Sequence, residues 1–207
     1  MQWQRKIYEI FDDMEDIMTN KITEINNQAA LITAGNLTRF LGKHVTVDMS
    51  KASLKKMINI GDTFDPEEIV AGVYLPVTGA INGSSLFILP KESAFIMSDI
   101  LLKRKLGTTR KLTKIDESAL KETGNIISGC YLSTLSNTYK IKLIEHIPQF
   151  SFDMFGAILS QIISKFAKKA DEALFIEIRY NIHPVKIAAY YLLLFDSSDI
   201  QLILEKQ

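Results

Sequence analysis

The sequence has little of what marks a secreted or membrane-spanning protein. It contains one cysteine, Cys130, so no internal disulfide can form and the chain fits a reducing compartment. No stretch approaches the ~20 uninterrupted apolar residues of a membrane span. The N-terminal residues carry scattered charges and lack the apolar core of a signal peptide. We therefore expect a cytoplasmic protein with no membrane partner.

An excess of one charge is also missing. The 24 lysines and arginines balance 24 acidic residues, whereas nucleic-acid binding needs a clustered basic surface. The three histidines have no metal-ligand spacing and no cysteine pair beside them. No glycine loop of the phosphate-binding type occurs. These absences predict no nucleic-acid partner, no metal site and no cofactor of the chain's own.

The composition is that of an ordinary globular protein. With 207 residues, of which 47% are hydrophobic and 23% charged, the chain can form one sizeable core. We predict a single domain over residues 1–207. Apolar residues at helical spacing predict a helix over residues 2–19, serving either as a packing helix or as a docking helix for a partner.

Two segments of the chain repeat a pattern. Four positions of the first correspond to four of the second at an offset of 122 − 24 = 98: Glu24, Asn27, Leu37 and Thr38 to Glu122, Asn125, Leu135 and Ser136. Downstream, residues 68–89 and 172–193 both read as two apolar strands joined by a turn. A helical pattern closes each unit, at 93–102 and 197–204. These features predict an α+β fold of two tandem pseudo-symmetric repeats, residues 20–102 and 118–204, sharing one β-sheet.

The second repeat opens with a helix of two contrasting faces. At 100° per residue over residues 116–137, one stripe is polar or very small and the other is apolar. The apolar stripe, which we expect to be buried, consists of Leu120, Ile127, Tyr131 and Leu135. The polar stripe, which we expect to be exposed, consists of Ser118, Glu122, Asn125, Gly129, Ser133 and Ser136. A glycine in mid-helix costs roughly 1 kcal/mol relative to alanine, so Gly129 indicates a close approach to another protein.

Pro148 follows Asn125 with twenty-two residues between them. The series Ser118, Glu122, Asn125 and Pro148 resembles the motif of the CheC, CheX and FliY phosphatases. That motif is Asp/Ser-x-x-x-Glu-x-x-Asn, then twenty-two residues, then Pro. The segments at 65–73 and 76–79 also resemble CheC, and the resemblance covers about residues 20–207. It implies a CheC-like fold, with one sheet flanked by two long motif-bearing helices.

The resemblance also implies a function. In this family the motif helices press onto a phosphorylated CheY-like response regulator, which supplies the phosphoaspartate and binds Mg²⁺. Asn125 would orient the attacking water, with Asn27 its counterpart in the first copy, while Glu122 and Glu24 would pair with a lysine of the regulator. Ser118 and Gly129 would contact the partner, and Pro148 would shape the turn into the next strand. A cytoplasmic chemotaxis phosphatase is therefore expected.

The first copy departs from this motif. Asn20 stands where Asp or Ser is expected, and Ser50 stands where the proline is expected. Leu31 holds the place of Gly129 and adds bulk to the surface that would approach a partner. The second site is therefore expected to be the stronger.

Two other functions stay open at this point. CheC-like proteins also bind the deamidase CheD, so the chain is alternatively a non-catalytic binding module for CheD or for the regulator. A flagellar-switch protein like FliY would add a C-terminal domain, for which the residues up to Gln207 leave no room. Two motif helices favour a CheC-like monomer over a CheX-like dimer with one site per chain.

Overall fold

The structure of the protein, a computed structural model, describes residues 2–61, 64–166 and 172–195. The described residues form five helices and seven strands. The helices are α1 (Gln2–Leu41), α2 (Met57–Ile60), α3 (Lys91–Leu101), α4 (Lys114–Tyr139) and α5 (Phe155–Phe166). The strands are β1 (Thr46–Lys56), β2 (Ile69–Gly79), β3 (Gly83–Pro90), β4 (Leu143–Glu145), β5 (Gln149–Met154), β6 (Glu172–Ile182) and β7 (Val185–Phe195).

The seven strands pair antiparallel in one sheet, in the order β1–β6–β7–β3–β2, with β4 and β5 both pairing with β2 at the far edge. The two predicted strand pairs are confirmed as the hairpins β2–β3 and β6–β7. The first hairpin turns at Gly79, which has a φ of +132°, and a Cβ there would overlap the carbonyl oxygen of Lys142. Only glycine fits this turn, because β4 passes so close to it.

Helices cover both faces of the sheet. One core contains residues of α1, α3 and α4 together with alternate strand residues such as Val73 and Leu75. The other core contains residues of α5 together with strand residues of opposite parity, such as Val70 and Leu192. This arrangement confirms the α+β class, and it places both motif-bearing helices on the same face of the sheet.

The order of elements repeats along the chain. Helix α1, strand β1 and the β2–β3 hairpin are followed by α4, the β4–β5 segment and the β6–β7 hairpin. At the offset of 98, the start of β1 at residue 46 maps to 144 within β4, and the start of α2 at 57 maps to 155, where α5 begins. The predicted helix over 93–102 corresponds to α3, while the one predicted over 197–204 lies outside the described residues.

The first helix differs from the sequence-based expectation. The pattern predicts a separate helix over 2–19 ahead of the first motif helix, whereas α1 runs unbroken for 40 residues from Gln2 to Leu41. Neither proline nor glycine occurs before Gly35, so nothing in the backbone chemistry ends the helix near residue 19.

The start of α4 is fixed by buried acidic groups. Thr113 and Asp116 form a reciprocal capping box, and the fully buried Asp116 accepts a 2.6 Å hydrogen bond from Arg104. Burial alone would raise the pKa of Asp116, but hydrogen bonds from Thr113 and Arg104 outweigh it and lower the pKa. Asp99, at the end of α3, accepts two 3.0 Å bonds from the backbone N–H groups of Thr108 and Thr109. These contacts anchor the α3–α4 connection and therefore the helix that follows.

Further along, α4 touches the sheet at Gly124. A Cβ built at this position would lie 2.7 Å from the Cβ of Val73 in β2, closer than two carbon atoms approach in practice. A glycine is needed here because the helix backbone lies directly on the strand. Gly129 is different, since a Cβ there would meet only the carboxylate oxygens of Glu145, at 3.7 and 3.8 Å.

This contrast predicts opposite effects of one substitution at two glycines of the same helix. Gly124→Ala should lower the free energy of unfolding by about 1–3 kcal/mol, because overpacking outweighs the gain in helix propensity. Gly129→Ala should raise it by about 0.5–1 kcal/mol, because propensity acts without a clash. Urea unfolding of the two variants beside the wild type measures both changes, and a stabilised Gly124→Ala protein would contradict the close contact with Val73.

Candidate functional site

The outer face of α4 carries the predicted second site. Ser118 and Glu122 are exposed, as the sequence predicts, and Gly129 is half-buried. Asn125 is also half-buried and so less exposed than expected. The reason is its position directly after Gly124, where the helix lies closest to the sheet. Asn125 nevertheless stays outside the protein core and remains accessible from the outer side of α4.

The inner face of α4 is pinned to the sheet. The predicted apolar stripe is confirmed as buried, with Leu120 and Ile127 fully inaccessible. The sequence pattern does not reveal a polar contact on this face. Ser128 Oγ lies 2.6 Å from Ser85 Oγ of β3 and 2.9 Å from Tyr191 Oη of β7. These buried hydrogen bonds fix the rotation of α4 about its axis and so fix which residues face outward.

The first copy of the motif lies on α1. Glu24 and Asn27 are exposed, as predicted, and Gln28 donates a 3.3 Å hydrogen bond to Glu24 Oε1. Leu31 is 76% exposed, so a large apolar side chain stands on the outer surface one turn beyond Asn27. The corresponding place in the second copy holds only the hydrogen of Gly129.

The two motif helices contact each other through polar groups. Tyr131 donates a 2.7 Å hydrogen bond to Asn26 Oδ1, and Asn36 Nδ2 lies 3.1 Å from Cys130 Sγ. Asn26 is buried and directly precedes Asn27, so the contact with Tyr131 holds the first motif in place. Cys130 is buried, as expected of a packing residue.

Glu145, at the end of β4, is a candidate residue that the sequence pattern does not single out. Burial raises the pKa of its carboxyl group to about 7. Its Oε1 atom is buried and has no hydrogen-bond partner. Glu145 and Gly129 line a groove of about 870 Å³ between β4 and the C-terminal half of α4. The sequence offers one signal for Glu145. At the offset of 98 it corresponds to Val47, so the two copies differ here in having a charged and an apolar residue.

Pro148 lies in the gap between β4 and β5, directly before the first residue of β5. At the offset of 98, this gap corresponds to the irregular register of β1 between Asp48 and Lys51. A proline cannot donate a backbone hydrogen bond to the ladder, which suits an interruption in an edge strand. The position fits the turn-shaping role that the sequence suggests for Pro148.

Among the described residues, no group of three or more histidine, cysteine or acidic side chains is placed to hold a metal ion. His146 Nε2 lies 2.8 Å from Thr78 Oγ1, while His44 and His183 are exposed. In the same part of the chain, no helix is both long enough and apolar enough to cross a membrane.

The chain is similar in sequence to a curated protein. It is 26% identical over 175 residues to the CheY-P phosphatase CheC of Bacillus subtilis, an alignment covering 81% of this chain and 82% of CheC. No protein-family model matches the sequence.

Two solved structures share the fold. Thermotoga maritima FliY matches 91% of this chain and 94% of its own, with a TM-score of 0.75 and 20% identity. A chain of the CheX–CheY–BeF3–Mg²⁺ complex from Borrelia burgdorferi matches 83% of this chain and 98% of its own, with a TM-score of 0.52 and 19% identity. The chain is therefore similar in sequence to CheC and shares the fold of FliY and of a chain of the CheX–CheY complex.

Proposed function

We propose that this protein removes the phosphoryl group from the aspartyl phosphate of a CheY-like response regulator, chiefly with Glu122 and Asn125. The observation that carries the proposal is the placement of these two residues on the open side of α4, while Thr123 and Gly124 between them are buried. Similarity to CheC, which is named a CheY-P phosphatase, supports the same activity.

Hydrolysis of an acyl phosphate depends on positioning and charge stabilisation more than on covalent chemistry. The Asn125 carboxamide has an oxygen that accepts from the attacking water and an NH₂ group that donates to a phosphoryl oxygen. It holds water in line with the scissile bond without acting as a base. Mg²⁺ belongs to the regulator in this scheme, where it neutralises charge on the phosphoryl group.

Glu122 serves docking in this proposal. Its exposed carboxylate would pair with a lysine of the regulator near the phosphorylated aspartate. Charged pairs at a protein interface set orientation and association rate more than final affinity. Because Glu122 lies three residues before Asn125 on the helix, the pair would set the position of the carboxamide over the phosphoryl group.

The second site, with Glu122 and Asn125, would carry most of the phosphatase activity. Leu31 adds an exposed side chain beside Asn27, whereas Gly129 leaves the surface beside Asn125 open. A regulator that approaches α4 closely would be held farther from α1. We propose that the protein acts as a monomer with one strong site and one weak one.

Replacing the carboxamide should remove transition-state stabilisation while leaving the fold intact. Asn125→Ala should slow dephosphorylation roughly 10²-fold or more, the scale for one catalytic polar contact. Asn27→Ala should have a smaller effect. Phosphate release from the phosphorylated regulator with Mg²⁺ measures both, and thermal unfolding checks that stability is unchanged. A more damaging Asn27→Ala would reverse the ranking of the sites.

Replacing the docking carboxylate should act on binding. Glu122→Ala should raise KM several-fold and reduce its dependence on salt, because an exposed ion pair is screened by salt. Glu117→Ala is the matched control, since Glu117 lies on the same helix about 140° away and bonds Lys114 at 3.0 Å. Steady-state kinetics at low and high salt distinguish the two variants. Equal KM values for Glu122→Ala and Glu117→Ala would show that Glu122 is not part of the docking surface.

The alternative is a binding module without catalysis, for the regulator or for CheD. The same phosphate-release assay separates the two functions. A wild-type protein that binds the phosphorylated regulator without accelerating phosphate loss would establish the binding module and overturn the phosphatase.

A further inference from the structure

We propose that the groove between α4 and β4, with Glu145 in its wall, receives a lysine or arginine side chain of the docked response regulator. This inference rests on the proposed function and adds a second charged contact to the same site. Gly129, Ser133 and Ser136 form the helix side of the groove, and Leu143 to Glu145 form the strand side.

The first argument is the isolation of the Glu145 carboxyl group. In the described part of the chain, no lysine or arginine nitrogen lies within ion-pair distance of it. Its Oε1 atom is buried without a hydrogen-bond partner. A buried acceptor that lacks a donor is destabilising, and a carboxylate gains most from a cationic donor. The raised pKa reflects the same lack of a counter-charge, because burial is its cause.

The second argument is Gly129. Glycine within a helix is unfavourable relative to alanine, yet the packing of this chain leaves room for a side chain at 129, with the nearest atoms at 3.7 Å. Those nearest atoms are the two carboxylate oxygens of Glu145. Any larger residue at 129 would cover the carboxylate, so the glycine keeps Glu145 accessible from the outer surface of α4.

The third argument comes from the first copy. At the offset of 98, Gly129 maps to Leu31 and Glu145 maps to Val47. Leu31 and Val47 line the corresponding groove between α1 and β1. An apolar pair therefore replaces the glycine and the carboxylate in the copy that lacks the motif proline. The pairing of a glycine with a facing carboxylate occurs at the site that keeps all four motif positions.

The groove is continuous with the proposed docking surface. Gly129 follows Asn125 by one helical turn, and the groove continues from there along α4 to its C-terminal end. Carbonyl groups at that end carry partial negative charge, which favours a cation. Lys140 and Lys142 border the groove and are exposed, and His146 beside Glu145 bonds Thr78. An incoming cation would approach Glu145 past Gly129.

A protein side chain fits this groove better than a metal ion does. Among the described residues that line it, Glu145 is the only acidic one, and the other polar side chains are hydroxyls, one amide and two lysines. A divalent ion requires several oxygen ligands of high charge density. A lysine or arginine carries its own long apolar stem, which Leu132 and Leu143 in the groove wall would contact.

The test compares Glu145→Gln with wild type in dephosphorylation of the CheY-like regulator from the same genome. Glu145→Gln should raise KM roughly tenfold, the effect of one charged contact, with kcat within about twofold. Glu177→Gln is the matched control, because Glu177 lies on β6 opposite Tyr190, on the sheet face that α5 covers. Its KM should equal that of wild type.

The pH profile excludes a purely structural effect. Because the pKa of Glu145 is about 7, the carboxylate available for pairing increases from pH 6 to pH 8, and 1/KM of wild type should rise relative to that of Glu145→Gln. The contribution of Glu145 to folding stability changes with pH in the opposite direction. A carboxyl whose pKa is raised on folding contributes stability that is lost as pH rises toward 7, so Glu145→Gln should be at least as stable as wild type at pH 8.

A second variant fills the groove without changing charge. Gly129→Leu reproduces Leu31 of the first copy and should also raise KM. If both variants keep the wild-type KM while wild type accelerates phosphate loss, the groove is not a docking site and the phosphatase stands. If wild type fails to accelerate phosphate loss, the groove can still be tested by binding. Wild type and Glu145→Gln are then each titrated with the beryllofluoride-activated, Mg²⁺-bound regulator. Weaker binding by Glu145→Gln would then support it, and equal binding would overturn it.

Discussion

The close approach of α4 to strand β2 sets the geometry of the whole site. At Gly124 the helix backbone lies so near Val73 that a single added carbon would stand 2.7 Å from it. Helical geometry then determines the directions of the neighbouring side chains on α4, since residues three and four apart share a face. Glu122 is turned to solvent, and Asn125 lies beside the contact in a half-buried position. The hydrogen bonds of Ser128 to Ser85 and Tyr191 keep the helix from rotating.

The same scaffold carries a second surface that has diverged. Helices α1 and α4 share one face of the sheet, and both present a glutamate and an asparagine three residues apart. Buried contacts such as Tyr131 with Asn26 join the helices between these surfaces. The differences lie outside those contacts, where Leu31 replaces glycine and Val47 replaces glutamate. Differences of this kind change the chemistry of the surface without disturbing the core that both copies share.

The sequence predicts most of the fold, because apolar periodicity and turn residues are local signals. The hairpin turning at Gly79 and the buried stripe with Leu120 follow from them. The length of α1 does not follow, because a change in pattern near residue 19 is not a chemical stop signal. The half-buried state of Asn125 and the importance of Gly124 depend on how near a helix comes to a strand. The role of Glu145 does not follow from the sequence pattern either, since its isolation arises only when β4 packs beside α4.

The position of Pro148 in the gap between β4 and β5 accounts for the number of residues that separate it from Asn125. The intervening residues complete α4, turn the chain and form a strand of three residues, in which Leu143 and Glu145 point inward and Ile144 outward. Side chains on a strand alternate in direction, so a shift by one residue exchanges the two faces. An inserted or deleted residue in the turn would place isoleucine or histidine where Glu145 faces Gly129. The length of the twenty-two-residue interval thus determines which side chain of β4 faces Gly129. The protein should therefore tolerate substitutions within the interval far better than changes in its length.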